Sequence, residues 1–333
     1  MKPGPTYYPI STDLKVHIVI NAILVLTATV LVAARIVSRV VTGVRLGWDD
    51  GFVLVALPLG IGLLVIEGIL ATVGLGYRKA TYDNPNNLWT VLPLNTAFTL
   101  CYIPLIAAVK CSMLFFYRRA FSETKARLTI YITLGFVVSW FVTHLLTSLL
   151  SCQPIAVLVD PSVPGFCNNS TIIVIALAAI NVGTDIAIML IPIPTILGLK
   201  IKLSEKIGVL GLVFLGILVT VASIVRLYYY THVQELADWT GSMPPVIFVS
   251  IFEGNLGIII TSLPMIRPLW TALKKRRDAN RRDSWGGDEG KAYLFRNSVQ
   301  EAHEFEIIEM RLDVGSIGGR QSNGARMREG NMI

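Results

Sequence analysis

Charged residues are scarce in this chain. Asp, Glu, Lys and Arg together make up 15% of its 333 residues, whereas an ordinary soluble domain carries roughly a quarter. Apolar side chains take their place and make up 53% of the sequence. This composition excludes a water-soluble globular protein and predicts an integral membrane protein.

Histidine and cysteine are also rare, with four of each. The histidines show no metal-ligand spacing, and no glycine-rich phosphate loop precedes a helix. We therefore expect neither a metal nor a cofactor. The net charge of +7 does not indicate nucleic-acid binding, because the basic residues stand in short clusters at the ends of apolar runs.

Seven apolar runs each supply about the 20 residues that a ~30 Å hydrocarbon core requires. They span residues 16–41, 51–73, 88–117, 128–151, 172–199, 207–230 and 244–273. The predicted fold is all-α, a seven-transmembrane-helix bundle over residues 16–273. We expect it in the lipid bilayer of the plasma membrane or of another membrane of the secretory pathway.

Lys and Arg predict the orientation of the bundle, since short basic loops stay in the cytoplasm. Sixteen basic residues follow the first, third, fifth and seventh runs, against four on the other side. We expect a short extracellular N-terminus, residues 1–15, and a cytoplasmic C-terminus. Residues 274–333 begin with a basic cluster and then lack any apolar period, which predicts a disordered cytoplasmic tail.

The loop between the fourth and fifth runs holds Cys152 and Cys167, followed by overlapping glycosylation sequons at Asn168 and Asn169. Both features suit an oxidising, glycosylating compartment. The sequence therefore predicts a disulfide and glycosylation in an exoplasmic loop. Two free thiols are the alternative.

Polar side chains recur at similar depths inside the apolar runs. Counted at ~1.5 Å per residue, seven of them lie about 22 to 30 Å from the basic ends of their runs: Glu67, His144, Asn181, Asp185, Arg226, Glu253 and Asn255. A charged side chain at such depth is costly unless it faces protein or water. We predict that these residues line one ligand pocket that opens outward. Separate snorkelling to the headgroups is the alternative.

Lys110 lies nearer the basic end, about 12 Å above Arg118. A lysine at this depth must pair, deprotonate or snorkel. Asp185 on one side and Asp49 or Asp50 on the other are its candidate counter-ions, and the sequence does not choose among them. We expect a structural ion pair; a role in chemistry or switching is the alternative.

With these residues in place, the chain resembles the fungal rhodopsin-domain integral membrane proteins, a seven-span family related to a pathogenicity-associated receptor-like group. The resemblance runs from about Arg35 to Leu273. The segments that carry it are Trp48-Asp49-Asp50, Lys110 to Phe121, Cys152-Gln-Pro154 with Cys167, Asn181, Asp185 and Pro192, Ser223 to Arg226, Glu253-Gly-Asn255 and Leu263 to Pro268. The resemblance implies a surface receptor or an accessory role in a secondary-metabolite pathway.

A literal rhodopsin is not expected, because residues 244–273 contain no lysine to bind retinal as a Schiff base. We expect receptor-like sensing of a small or amphipathic, lipophilic ligand, with a cytoplasmic partner at the inner loops and tail. The alternative is a membrane-embedded, metal-free cyclase or isomerase that acts on a lipophilic intermediate. Asp185, Glu67 and Glu253 are its candidate acids, without a firm catalytic assignment. Whether the chain is an enzyme stays open.

Overall fold

The computed structural model describes residues 7–77, 85–120, 124–159, 162–167, 171–193, 203–235 and 242–283. Within this part of the chain, seven long helices follow one another: α1 (Thr12–Thr42), α2 (Trp48–Thr72), α3 (Pro85–Ala120), α4 (Thr124–Leu149), α5 (Thr171–Leu190), α6 (Leu203–Glu235) and α7 (Pro244–Asp283). Each has a segment long and apolar enough to cross a membrane. The predicted all-α, seven-helix membrane fold is confirmed.

The helices differ in how far their neighbours enclose them. The membrane segments of α3 and α7 are 67% and 78% buried inside the bundle, whereas those of α1, α4 and α6 are each 22% buried. Large apolar side chains on the outer helices, such as Leu26 and Phe136, are exposed, as expected of surfaces that face lipid tails. Helices α3 and α7 therefore form the centre of the bundle.

Two glycines bring α7 close to α3. A Cβ atom at Gly254 would lie 2.6 Å from Leu105, and one at Gly257 would lie 2.6 Å from Val109. Small residues at such spacing let membrane helices approach closely. The close approach places the polar side chains of α3 and α7 within reach of the same neighbours.

Local signals in the sequence explain several helix ends. The Ser11 hydroxyl accepts a hydrogen bond from the Leu14 amide at the start of α1, and Gly43 ends that helix in the left-handed conformation with φ 69°. Helix α5 ends at Leu190, just before Pro192, which cannot donate a backbone hydrogen bond. Helix α7 continues past Leu273 to Asp283, and the remainder of the predicted tail lies outside the described residues.

A short antiparallel hairpin between α4 and α5 pairs Cys152 with Cys167. These two cysteines form the predicted disulfide, which is confirmed. The Thr96 hydroxyl of α3 donates to the Leu158 carbonyl and ties this loop to one end of the bundle. We call this the hairpin end. The predicted glycosylation sites, Asn168 and Asn169, lie outside the described residues.

The opposite end carries Arg35 near the end of α1, Asp49 at the start of α2 and Arg118 near the end of α3. We call it the basic end. The structure divides into two units, residues 1–267 and 268–333. The residues that define the hairpin end and the basic end all lie in the first unit.

Candidate functional site: a buried polar network and an adjoining cavity

Lys110 on α3 is held by three polar side chains of α5. Asn181, Thr184 and Asp185 lie on one helical face because their spacing is three and four residues. The Lys110 Nζ atom lies 3.0 Å from Asp185 Oδ1, 2.7 Å from Thr184 Oγ1, 2.8 Å from Asn181 Oδ1 and 2.9 Å from the Asn181 carbonyl. The indole ring of Trp140 faces the ammonium group at 5.6 Å. Lys110 is therefore enclosed by α3, α4 and α5.

A second ion pair joins α6 to α7. Arg226 Nε lies 3.1 Å from Glu253 Oε2, with both side chains at most 5% exposed. The Tyr102 hydroxyl of α3 donates to the same carboxylate oxygen at 3.1 Å. The guanidinium group lies 4.8 Å from the centre of the Tyr102 ring, which is within range of a favourable cation–π interaction.

Ser223 and Asn181 connect the two ion pairs. The Ser223 hydroxyl lies 2.8 Å from both Asp185 Oδ2 and Glu253 Oε1. The Asn181 amide donates to Glu253 Oε1 at 2.9 Å. Two carboxylates thus stand next to each other, and two cations neutralise them. We call these bonded residues the central network: Tyr102, Lys110, Asn181, Thr184, Asp185, Ser223, Arg226 and Glu253. The network ties α3, α5, α6 and α7 together and carries no net charge.

A second charge cluster occupies the basic end. Arg35 is fully buried and lies 2.6 Å from Asp49 Oδ2 and 2.6 Å from Asp50 Oδ1. Arg39 lies 3.0 Å from Asp49 and 3.3 Å from Asp50. Arg35 also donates to the Thr261 carbonyl on α7. We call these four charged residues the basic-end cluster, which again balances its charges and links α1, α2 and α7.

The predicted counter-ions of Lys110 belong to different clusters. Asp185 contacts Lys110, whereas Asp49 and Asp50 contact arginines of α1. The physical reason is that a guanidinium fork can bond two carboxylates at once, while an ammonium group is a point charge. Arg35 is one of the basic residues that predict the orientation, and no sequence signal indicates its pairing with Asp49 and Asp50.

Of the seven predicted pocket residues, four meet in the central network: Asn181, Asp185, Arg226 and Glu253. For the other three, the described contacts are with other residues. Glu67 accepts a hydrogen bond from Asn21 of α1 at 3.0 Å, Asn255 donates to the Ile251 carbonyl of its own helix, and the His144 ring packs edge-on against Trp140. Equal depth therefore does not bring all seven together.

A cavity adjoins the central network on the side of the basic end. It encloses about 540 Å³ of empty space, its open mouth included. Its walls are mostly apolar, and it is lined by Val109, Lys110, Met113, Tyr117, Asp185, Ile188, Met189, Pro192, Val213, Gly216, Val219, Gly257, Ile260 and Thr261. Asp185 alone among the seven predicted pocket residues lines it. The charges of the central network pair with one another, and the cavity lies beside them.

Several residues that bond buried carboxylates carry no strong sequence signal. Ser223, Tyr102 and Asn21 are single polar residues in apolar runs, and each bonds a carboxylate of another helix. The sequence indicates them only indirectly, because a buried carboxylate in a membrane requires hydrogen-bond donors on neighbouring helices. Among the described residues, no group of three or more His, Cys, Asp or Glu side chains is arranged to hold a metal ion.

The seven-helix frame that carries the central network has counterparts among known proteins. The fungal rhodopsin domain profile matches residues 34–272, well over half of the chain. The chain belongs to the fungal rhodopsin domain family. No solved structure matches it significantly.

Curated relatives of this family member are distant in sequence. The chain is 26% identical over 75% of its length to wortmanamides biosynthesis cluster protein C of Talaromyces wortmannii, of which it covers 69%. It is 26% identical over 66% of its length to a SAT4 family membrane protein of Emericella nidulans and covers 53% of it. The third is receptor GIN3 of Arthrobotrys oligospora, 26% identical over 63% of the chain and covered to 52%. The chain spans about half to two thirds of these proteins.

Proposed function

We propose that this chain is a receptor-like membrane protein that binds a small, lipophilic ligand in the cavity beside the central network. The observation that carries the proposal is the ion pair of Lys110 and Asp185, which stands in the wall of an otherwise apolar cavity. Ligand sites have this character, an apolar recess with a few placed polar groups. The names of the relatives, one a receptor and another a biosynthesis cluster protein, agree with sensing of a metabolite.

The network supplies a means of transmitting binding. A ligand shifts an equilibrium only if it contacts two conformations of the protein differently. Asp185 lines the cavity and also bonds to Ser223 of α6, which in turn reaches Glu253 of α7. A ligand that changes the position of Asp185 therefore acts on the packing of α5, α6 and α7 together. The exposed arginines at the basic end, Arg118 and Arg119, are the proposed contact for a cytoplasmic partner.

The cyclase or isomerase alternative has weaker support. General acid catalysis needs a carboxyl group that can hold and release a proton next to substrate. Asp185 is paired with Lys110, and Glu253 with Arg226. Glu67 has no cation within pairing distance among the described residues, but it does not line the cavity. The geometry thus favours binding over acid–base chemistry.

A matched pair of substitutions on α6 tests the proposal. Val219 lines the cavity, while its neighbour Leu218 is 38% exposed on the lipid-facing side. Purified protein is screened for a rise in unfolding midpoint with a panel of small apolar alcohols and phenols. A compound at a hundred times its Kd should stabilise the protein by about 2.7 kcal/mol. We expect Val219→Phe to abolish this stabilisation and Leu218→Phe to retain it.

Two outcomes would contradict the proposal. Equal stabilisation of both variants would mean that the compounds bind outside the cavity. Conversion of a stabilising compound by wild-type membranes, detected by mass spectrometry and lost in Asp185→Asn, would support the cyclase or isomerase instead. Ligand-dependent recruitment of a cytoplasmic protein without turnover is the result that the receptor proposal expects.

A further inference from the structure

The cavity extends in one direction from the ion pair of Lys110 and Asp185. On α3 its lining residues run from Lys110 to Tyr117, next to the arginines that end the helix. On α5 they run from Asp185 to Pro192, again toward the basic end. The lining residues of α6 and α7 follow the same direction in space. On α6 they run from Val219 back to Val213, and on α7 they run from Gly257 on to Thr261.

The central network closes the cavity on the side of the hairpin end. Glu253 lies one helical turn before Gly257 on α7, and Tyr102 lies two turns before Lys110 on α3. Both side chains are buried and bonded to each other across the bundle. Ser223 fills the space between the two carboxylates. A ligand that came from the hairpin end would have to break these contacts.

The ion pair of Lys110 and Asp185 can still accept a hydrogen bond but has no N–H donor left to offer. An ammonium group has three N–H donors, and four acceptor atoms already lie within 3.0 Å of Lys110 Nζ. Asp185 Oδ2 faces Ser223 and Asn181, while Oδ1 faces Lys110. A carboxylate offers about four lone-pair sites, so Oδ1 retains room for a donor. The wall of the cavity is therefore suited to a ligand hydroxyl or N–H group.

Net charge sets a further limit on the ligand. Lys110 and Asp185 neutralise each other, and apolar residues such as Met113, Ile188 and Ile260 form most of the remaining wall. An ionised ligand would enter an apolar recess without a free counter-ion, which is costly. An uncharged ligand incurs no such cost.

From these observations we infer that the cavity takes an uncharged, mostly apolar ligand with a hydroxyl donor, and that the ligand reaches it from the basic end. Since the distribution of Lys and Arg predicts that this end is cytoplasmic, the protein samples compounds made inside the cell or dissolved in the inner leaflet. This inference rests on the proposed function and adds to it the chemical class of the ligand and its side of access.

Cysteine labelling in oriented vesicles tests the side of access. Ile188 lines the cavity, and Ile186 on the same helix is exposed to the lipid face. Each is replaced by cysteine after the free cysteines Cys101 and Cys111 have been changed to alanine. An uncharged, membrane-impermeant methanethiosulfonate reagent that carries a sugar group is then added to sealed vesicles of either orientation. We expect Ile188→Cys to react at least tenfold faster in inside-out vesicles, and Ile186→Cys to stay unreactive in both.

Protection from this label tests the chemical class. The probe is 2-naphthol, and its matched ether, 2-methoxynaphthalene, lacks the donor. We expect 2-naphthol to slow labelling of Ile188→Cys several-fold at concentrations where the ether and the anion 2-naphthoate have little effect. Asp185→Asn should weaken protection by 2-naphthol, because an amide oxygen is a poorer acceptor than a carboxylate. A second variant, Thr184→Val, reports whether loss of any Lys110 contact has the same effect.

The outcomes separate this inference from the proposed function. Faster labelling from right-side-out vesicles, or protection by the ether equal to that by 2-naphthol, overturns the inference. Neither result touches ligand binding as such, which the Val219→Phe comparison measures. Conversely, correct labelling and protection combined with turnover of the probe would keep the ligand class and side of access but replace the receptor with an enzyme.

Discussion

Arg35 offers a sharp test of how this membrane bundle is held together. Its guanidinium group is 0% exposed and contacts Asp49, Asp50 and the Thr261 carbonyl. Arg35→Met would leave two buried carboxylates facing only Arg39, so one negative charge would lose its partner. Removing one member of a buried pair costs about 3–5 kcal/mol. We expect a loss of this size.

Conservative and compensating variants separate charge from geometry. Arg35→Lys keeps the charge but loses the planar fork, and one lost charged hydrogen bond costs roughly 1.5–3 kcal/mol. Arg35→Met combined with Asp49→Asn restores neutrality and leaves the pair of Arg39 with Asp50. This double variant should therefore be more stable than Arg35→Met alone.

The assay is the midpoint of unfolding in mixed micelles as the fraction of sodium dodecyl sulfate rises. Arg45→Met is the matched control, since Arg45 lies in the loop just after α1 and is exposed. Its loss should cost about 0–1 kcal/mol. If Arg35→Met and Arg45→Met unfolded at the same midpoint, or if the double variant were the least stable, the charge-balance reasoning would be wrong.

Three further predictions concern stability in the same assay. Lys110→Met and Asp185→Leu should each cost about 3–5 kcal/mol, while the double variant should cost clearly less than their sum; simple additivity would exclude coupling. Glu67→Gln should leave the midpoint unchanged or raise it, because a glutamine amide can donate to the unpartnered Asn21 Oδ1, and a marked loss would show that the charge of Glu67 is required. Cys152→Ser should cost roughly 3 kcal/mol on the chain-entropy account of a loop of about 15 residues, and wild type under reduction should match the variant.

The sequence predicts the frame well because membranes constrain it strongly. Backbone groups in lipid must bond internally, so seven apolar runs of sufficient length leave little choice but seven helices. The pairing of Cys152 with Cys167 is similarly limited by a loop that connects two adjacent spans. Orientation rests on the basic residues and on the cysteines and sequons of the loop between the fourth and fifth runs, and it remains a prediction.

The site is less predictable because depth along a helix and rotation about its axis are separate quantities. A rise of ~1.5 Å per residue gives depth directly and puts Asp185, Arg226 and Glu253 in a band about 22 to 30 Å from the basic ends of their runs, where they meet. Rotation is fixed by an apolar stripe in soluble helices, but membrane helices are apolar on all sides. Glu67 lies at a similar depth and yet faces α1.

The position of the cavity depends on how the charged residues of the central network pair, which the sequence does not predict. Polar groups in an apolar medium satisfy one another first, so the most polar level of the bundle is also the most tightly closed. Empty space then remains beside the network, where small and apolar residues such as Gly216 and Val219 line the walls. A cluster of charges in a membrane sequence thus marks the boundary of a cavity more reliably than its interior.

The cavity lies between the two charge clusters, and this placement bears on how binding would be transmitted. Asp185 belongs to the central network, and Thr261, whose carbonyl accepts from Arg35, lines the same space. A ligand there contacts a residue of one cluster and the backbone partner of the other. Since the buried charges of each cluster are compensated only by close pairs, small shifts at either contact change buried electrostatic energies. Helix α7, which carries both Glu253 and Thr261, is therefore the element through which the two clusters would respond together.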